Sequence, residues 1–482
     1  MLKPSVLATA LLLVGCASMA PDFQAPALPV PAAYPVAYPV TSPADAPTGP
    51  AATPGQRAAA LDWREHFADP RLQQLIAEAL QNNRDLRLAA LRVQEARAAY
   101  GIQRAERFPV IGASGDVSRA RVPASLSTTG RAVVGSQYQV ALGVNAWEID
   151  FWGRVQSLQD AALQSYLASD AARRALTLSL VAQVADGYLL LRELDERLAL
   201  ARRSIASRTE SLRIFTRRFE VGSTSRLDLA QVQTLSTQAR ALGAQLEQQR
   251  AVQAHALAQL VGGPVDLAPA TTPLDDGAVL QPLDAGLPSA LLADRPDILA
   301  AEHRLRAANA NIGAARAAFF PRIALTTSAG VANAQLDALF EGASRAWTFA
   351  PSISLPLFDG GARRNSLDLA EVRRDLAVAD YEKTVQAAFR DVADALAARQ
   401  WLAEQVRIGS EGLAAQAERA RLATLRYDHG AAAFLEVLDA QRDLLAAEQS
   451  LVTTRRALLS ARIGLYAALG GGAQHVDAAA AP

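Results

Sequence analysis

The stretch RDLRLAALRVQEARAAYGIQRAERFPVI, residues 84–111, returns as PDILAAEHRLRAANANIGAARAAFFPRI, residues 296–323. The two stretches align without a gap at a constant offset, since 297 − 85 = 212 for Asp297 and Asp85. After a short deletion the match resumes at an offset of 208 and continues to the end of both copies. A repeat of this length indicates a duplicated structural unit rather than two unrelated domains.

The duplication sets the predicted domain boundaries, because each copy reads as one helix, two strands and a long helical hairpin. The first copy covers residues 61–262, with strands near 111–122 and 137–147 and a hairpin near 154–261. The second covers residues 295–470, with strands near 323–333 and 346–357 and a hairpin near 361–469. The remaining segments are a signal peptide at 1–15, a lipidated N-terminus and extended Pro/Ala-rich strap at 16–60, a connector at 263–294 and a flexible tail at 471–482.

A sustained heptad pattern predicts the long helices. Apolar residues recur at alternating steps of four and three from Leu180 to Phe219, and Arg208 falls on the same stripe. The second copy repeats the pattern from Val385. Glycines then mark the reversals of direction at Gly222 and Gly430, since glycine readily adopts positive φ. The predicted fold class is therefore mixed but mainly α, with coiled-coil-like hairpins.

Period-two alternation predicts the four strands, each about ten residues long, which is the length of a tilted transmembrane strand. A water-soluble sheet with one buried face produces the same alternation. Four strands cannot close a membrane barrel, and an open sheet would leave edge groups that lipid cannot satisfy. Either the sheet is soluble or several chains contribute to one barrel. Breakers stand at the predicted crossings between helix and strand: Pro109, Gly153, Pro321, Gly360 and Gly361.

The N-terminus favours a membrane-associated chain. Lys3 precedes a short apolar run, and residues 13–16 (LVGC) resemble a bacterial lipobox that ends at Cys16. Lipid attachment at Cys16 is therefore expected, and the alternative is an ordinary signal peptide with a chance cysteine. A single lipid anchor holds a protein only modestly, so a second membrane element is expected.

The composition argues against several other classes. Acidic and basic residues balance at 48 each, so no nucleic-acid partner is expected. The five histidines are scattered, with no pair at metal-ligand spacing, and no phosphate-binding or dinucleotide-binding glycine motif occurs. We therefore predict no catalytic residues, no metal site and no cofactor.

Several motifs together resemble the TolC-like outer-membrane efflux proteins, specifically the NodT-type lipoproteins of resistance-nodulation-division pumps. These motifs are residues 20–26 (APDFQAP) after Cys16, 63–67 (WREHF), 69–72 (DPRL), 83–86 (NRDL), 147–154 (WEIDFWGR), 295–298 (RPDI), 320–321 (FP) and 357–361 (LFDGG). The resemblance covers essentially all of the mature chain.

The resemblance implies a homotrimer in the outer membrane. Three chains of four strands each would form a twelve-stranded β-barrel, and their helices would continue it as a periplasmic α-barrel. The chain would then be a passive exit duct that docks to a periplasmic adaptor and an inner-membrane pump. The resemblance also implies an aperture in which Leu435 and Asp439 constrict the opening, while Arg426 and Tyr427 make contacts that keep it closed.

The hairpin turns resemble the adaptor-docking ends of the family, at Val221, Gly222, Ser223 and Gly430. The acidic ring at the aperture should come from the second copy only, because Gln231 stands where the second copy has Asp439. Without the resemblance, Asp439 would be read as a solvated helix charge.

Two other classes of protein share some of these features. A periplasmic adaptor lipoprotein also has a lipobox and a helical hairpin, but it carries one hairpin and no paired membrane-length strands. A structural coiled-coil spacer would lack the strands altogether.

Overall fold

The computed structural model describes residues 18–27, 29–31, 34, 58–128, 130–270, 283 and 291–473. The helices are α1 (Trp63–His66), α2 (Pro70–Asn82), α3 (Arg84–Ala105), α4 (Arg154–Glu220), α5 (Arg226–Val261), α6 (Leu291–Asp294), α7 (Pro296–Ala317), α8 (Ala362–Asp428) and α9 (Phe434–Ala468). The strands are β1 (Ile111–Val122), β2 (Val133–Glu148), β3 (Arg322–Asn333) and β4 (Arg345–Ser354). Short 3₁₀ turns lie at Ala58–Ala60, Ala124–Leu126 and Gly342–Ser344.

The strands form one antiparallel sheet in the order β1-β2-β3-β4. Pairing between strands sets their ends. β2 begins at Val133 rather than at the predicted residue 137, because Val133 pairs with Val122 at the end of β1. β4 ends at Ser354 rather than at 357, because Ser354 pairs with Arg322, the first residue of β3.

The chain divides into two compact units. The sheet unit contains Arg92–Ser169, Ala300–Glu382 and the N-terminal residues up to Ala27. The hairpin unit contains Leu28–Leu91, Asp170–Leu299 and the residues from Lys383 onward. Helices α3, α4, α7 and α8 each contribute residues to both units.

The sheet unit leaves an apolar sheet surface uncovered. Every residue of β1 and of β4 is exposed. Large apolar side chains are among the exposed residues of the sheet: Val117, Leu142, Trp347, Phe349 and Ile353. Several large apolar side chains exposed on one sheet are unusual for a protein face in water and mark a membrane or protein contact.

Helix α2 contributes to one buried cluster of the hairpin unit. The Asp69 carboxylate accepts hydrogen bonds from the N–H groups of Arg71 and Leu72 and so caps the helix, and Pro70 occupies its first turn. The apolar face of α2 then packs against the long helices in one buried cluster. Its members include Leu72, Leu75, Ile76, Val184, Leu189, Leu257, Leu459 and Ile463.

The C-terminal end of α9 is also packed. His66 stacks on Tyr466 with ring centroids 4.3 Å apart, and burial lowers the pKa of His66 to about 4. The N–H of Gly472 donates to the carbonyl of Ala58 at 3.0 Å, and residues 471–473 are buried. The prediction of a flexible tail from residue 471 is therefore wrong for these three residues, while 474–482 lie outside the described part of the chain.

Candidate functional site

The two hairpin turns have the same backbone geometry. Gly222 and Gly430 adopt φ values of 77° and 70°. In each turn the residue after the glycine donates its N–H to a carbonyl of the preceding helix at 2.8 Å, Ser223 to Arg218 and Ala431 to Arg426. This is the hydrogen bond of a Schellman motif, in which a left-handed glycine ends a helix. The sequence therefore specifies both turns through glycines at equivalent positions of the repeat.

The first turn, residues 221–225, closes on itself through side chains. The Ser225 hydroxyl accepts the N–H of Asp228 at 3.0 Å, and the Asp228 carboxylate accepts the N–H of Ser225 at 3.2 Å. This reciprocal capping box satisfies free N–H groups at the start of α5. The hydrogen bonds from Ser225 also lower the pKa of Asp228.

The second turn, residues 429–433, has no such box. Ala433 stands at the cap position of α9, and alanine has no side-chain oxygen to accept a hydrogen bond. Glu436, the equivalent of Asp228, turns back to the end of α8. Its carboxylate lies 2.6 Å from Nη1 of Arg426. In the second turn an ion pair between α8 and α9 thus stands in place of a local cap.

The two hairpins are joined next to their turns. Nη1 of Arg218 donates to the hydroxyl of Tyr427 at 2.7 Å. The rings of Phe215 and Phe434 stack with centroids 4.8 Å apart. Both contacts connect α4 of the first hairpin with the second hairpin, so movement of one turn away from the other would break them.

Leu435 and Asp439 lie one helical turn apart near the start of α9. The Leu435 side chain is 44% exposed. The Asp439 side chain is 41% exposed, and its carboxylate is 3.2 Å from Nη1 of Arg442. Both side chains are therefore accessible to solvent in the single chain.

The crossings between helix and strand contain the predicted breakers. Pro109 lies between α3 and β1, and Pro321 lies between α7 and β3. The indole N–H of Trp152 donates to the carbonyl of Pro321 at 2.9 Å, and its ring stacks on Phe320 with a centroid distance of 4.7 Å. These contacts tie the start of β3 to the segment that leads into α4.

Glycines with positive φ open both long helices, at Gly153 (68°), Gly360 (63°) and Gly361 (91°). Ahead of α4, Glu148 accepts two hydrogen bonds from Arg154 at 2.8 and 2.9 Å.

The predicted lipid attachment residue, Cys16, lies outside the described residues. The segment that follows it packs on α7 within the sheet unit. The Asn309 amide donates to the carbonyl of Pro21 at 2.8 Å, and the Arg306 guanidinium lies over the ring of Phe23 at 4.3 Å. Gly313 leaves room for the backbone of Ala20, which a Cβ at that position would overlap.

Within the described part of the chain, no group of His, Cys, Asp or Glu side chains is arranged to hold a metal ion.

Comparison with known proteins decides the family. The model of the family described as outer membrane efflux protein matches residues 75–263 and 287–471. The chain belongs to this family. It is 45% identical over 475 residues to the antibiotic efflux pump outer membrane protein ArpC of Pseudomonas putida, covering 97% of this chain and 95% of that protein. It is 44% identical over 475 residues to the toluene efflux pump outer membrane protein TtgC, also of Pseudomonas putida, with the same coverage of 97% and 95%.

The fold matches as well. The crystal structure of the open state of the MtrE outer membrane channel of Neisseria gonorrhoeae superposes with a TM-score of 0.83 at 38% identity, covering 95% of this chain and 98% of that one. The predicted TolC-like family and fold class are thus confirmed: this outer membrane efflux protein is a channel of the outer membrane that extends into the periplasm. It is a transport protein and not an enzyme. The alternative of a periplasmic adaptor finds no support in these similarities.

Two side chains of the hairpin unit of this efflux protein have roles that the sequence does not predict. In the repeat Arg218 aligns with Arg426 (218 + 208 = 426), which marks it only as a shared residue, yet its side chain reaches across to the second hairpin. The heptad pattern marks Arg208 only as a member of the stripe, and it is a charged residue that is just 4% exposed. Its position on an otherwise apolar heptad stripe was the sequence feature that could have indicated a buried charge at Arg208.

Proposed function

We propose that this efflux protein is the passive exit duct of a tripartite pump, in which a periplasmic adaptor and an inner-membrane pump supply coupling and energy. The observation that carries the proposal is the pair of hairpin turns, which are joined by contacts that movement can break. The cargo is proposed to be organic compounds, since relatives are named for antibiotic and toluene efflux. A strain that lacks the gene should become sensitive to toluene and to antibiotics, and the intact gene should restore resistance.

A homotrimer is proposed because two equivalent helices differ in burial. Helix α7 buries residues along its length, among them Ile298, Leu305 and Ile312. Helix α3 has the same place in the first copy, yet none of its described residues is buried and Leu88 and Leu91 are half exposed. Apolar surface left open on one of two equivalent helices indicates that another chain covers it.

The repeat also predicts which residues meet across that interface. Within one chain His303 of α7 hydrogen-bonds Gln164 of α4 at 2.7 Å. The equivalent positions are Leu91 (303 − 212 = 91) and Val372 (164 + 208 = 372). Both are exposed apolar residues, at 50% and 55%. We propose that Leu91 of one chain contacts Val372 of the next, which would also place the free edges of β1 and β4 beside neighbouring chains and close the barrel.

Crosslinking tests this arrangement, since Cys16 is the sole native cysteine. The double variant L91C/V372C, treated with a short bifunctional thiol reagent in outer membranes, should give covalent dimers and trimers. The control H303C/Q164C should give crosslinks within one chain only. Monomers alone from L91C/V372C would contradict the proposed interface.

The aperture is proposed to lie at Leu435 and Asp439, with Arg426 and Tyr427 holding it closed. Three symmetry-related carboxylates in a narrow opening would favour cations over anions. Asp439→Ala should raise single-channel conductance in planar bilayers and reduce cation preference. Gln231→Ala, at the equivalent position of the first copy, should change neither. Unaltered conductance and selectivity in Asp439→Ala would show that Asp439 is a solvated helix charge and not part of a constriction.

The adaptor is proposed to dock at the turns, around Val221, Gly222, Ser223 and Gly430. The Val221 side chain is 61% exposed, as an apolar docking residue should be. Val221→Asp should impair resistance in cells and leave the conductance of the purified channel unchanged. Normal resistance would argue against docking at this turn.

Lipid attachment is proposed at Cys16. The domain boundaries are proposed as predicted, with the strand ends and residues 471–473 corrected as described for the fold, and the hinges between helix and strand are proposed at Pro109, Gly153, Pro321, Gly360 and Gly361. Cys16→Ala should abolish labelling by radioactive palmitate while trimers remain in detergent extracts. Undiminished labelling would exclude this attachment site.

A further inference from the structure

Arg208 of α4 is a buried charge in the hairpin unit. Its Nη2 donates to the carbonyl of Leu438 on α9 at 3.1 Å. Its Nη1 is buried and has no hydrogen-bond partner among the described residues. Leu438 directly precedes Asp439 and packs against Phe215 of the first hairpin and Val232 of α5. Arg208 therefore fastens the first hairpin to α9 beside the proposed constriction.

The charges around Arg208 connect it to Asp439. Burial lowers the pKa of Arg208, the positive charge of Arg442 lowers it further, and the negative charge of Asp439 raises it. Asp439 itself pairs with Arg442. Arg208 and Arg442 thus act on the same carboxylate from two helices.

The repeat shows that both charges are particular to one copy. The equivalent of Arg208 is Gln416 (208 + 208 = 416), and the equivalent of Asp439 is Gln231 (439 − 208 = 231). Helices α4 and α9 therefore carry an arginine and an aspartate at these positions, whereas their equivalents α8 and α5 carry two glutamines. A structural role common to both hairpins would not require the charged pair.

We propose that Arg208 is a positioning residue of the aperture, which holds α9 against the first hairpin and so keeps Asp439 at the constriction. This inference rests on the aperture proposed above. When α9 moves outward, Arg208 loses its hydrogen bond to the Leu438 carbonyl. Because a hydrogen bond made by a charged group contributes to stability, this contact favours the closed arrangement.

The expected effects separate positioning from ordinary packing. An apolar side chain of similar length at position 208 removes the desolvation cost of the buried guanidinium and leaves Asp439 paired with Arg442. Leu438 lies inside α9, so its carbonyl keeps its helical hydrogen bond when Arg208 is replaced. Arg208→Met should therefore leave the melting temperature unchanged or raise it, and yet increase the open population roughly tenfold, the factor that corresponds to one charge-assisted hydrogen bond.

The test uses full-length channel purified from outer membranes, with open probability measured in planar bilayers and melting measured in detergent. Arg208→Lys keeps a donor and should restore the closed arrangement at least partly. Arg213→Met removes an exposed arginine of the same helix, paired with Glu210 at 2.7 Å, and should have no effect on opening. Wild-type opening in Arg208→Met, or opening accompanied by a lower melting temperature in both Arg208→Met and Arg208→Lys, would overturn the proposal.

Asp439→Ala in the same assay distinguishes this inference from the aperture itself. If Asp439→Ala changed the open probability and Arg208→Met did not, the aperture would still lie at Asp439, but Arg208 would have no role in positioning it. A change of open probability in Arg208→Met alone would show that Arg208 holds α9 closed, but it would overturn both the constriction at Asp439 and the proposal that Arg208 positions Asp439 there. No change in either variant would overturn both proposals.

Discussion

The first and second hairpin turns have the same backbone geometry, but their side chains make different contacts. Ser225 and Asp228 of the first turn bond to each other, which leaves Arg218 available to reach the second hairpin. In the second turn Ala433 cannot cap, and Glu436 holds Arg426 instead. Duplication thus produced one turn that is stable by itself and one that depends on contacts between helices. Such dependence is what a movable part requires, since contacts that movement breaks can also be re-formed.

Breaking the hydrogen bond between Arg218 and Tyr427, which joins the two turns, should have the largest effect on channel opening. Tyr427→Phe removes the acceptor of the Arg218 guanidinium and introduces the residue that the first copy has at the equivalent position, Phe219 (427 − 208 = 219). Because the pair is exposed, its loss should raise the open population by about fivefold at most. Planar-bilayer recordings measure this change.

Arg218→Met should give the same increase as Tyr427→Phe, and the double variant should add nothing further, as expected for two ends of one contact. Arg217→Met is the matched control, because Arg217 pairs with Glu220 of its own helix at 3.0 Å. Additive effects of the two substitutions would show that the contact is not what holds the turns together.

Breaking the capping box should weaken the first turn without opening the channel. Ser225→Ala removes the hydroxyl that caps α5 and should cost about 1 kcal/mol of local stability. Hydrogen exchange of the amides at the start of α5 should accelerate accordingly, while conductance stays at the wild-type value. A rise in conductance would mean that the first turn is also part of the moving structure.

Giving the second turn a cap should have a smaller effect. Ala433→Ser supplies the missing hydroxyl, but Glu436 is held by Arg426, so only half of a capping box can form. The expected gain is about 0.5 kcal/mol, seen as slower exchange of the first amides of α9. Ala432→Ser, one position before the cap, is the control and should leave exchange unchanged.

The sequence predicted the repeat, the glycines of both turns and the helices between them, because local signals determine these features. Strand ends were less accurate, since Val133 and Ser354 become strand residues only through the partners that face them. The buried Arg208 and the Arg218–Tyr427 contact could not be predicted in detail. A heptad pattern states which face of a helix is buried, but it does not state which neighbour that face meets.

The smallest expected effect is a pH dependence of the capping box, which only the first turn has. The pKa of Asp228 is lowered by its hydrogen bonds from Ser225, so the folded turn binds this proton less readily than the unfolded chain does. The contribution of the cap is therefore complete above the ordinary value of 3.8 and is lost as the pH falls below it. Exchange at the start of α5, corrected for intrinsic rates, should accelerate in this acidic range. Asp228→Asn cannot titrate and should remove the pH dependence. If Asp228→Asn kept the acid-induced change at the start of α5, another group would be responsible for it, and the capping box would not be the acid-sensitive element of the first turn.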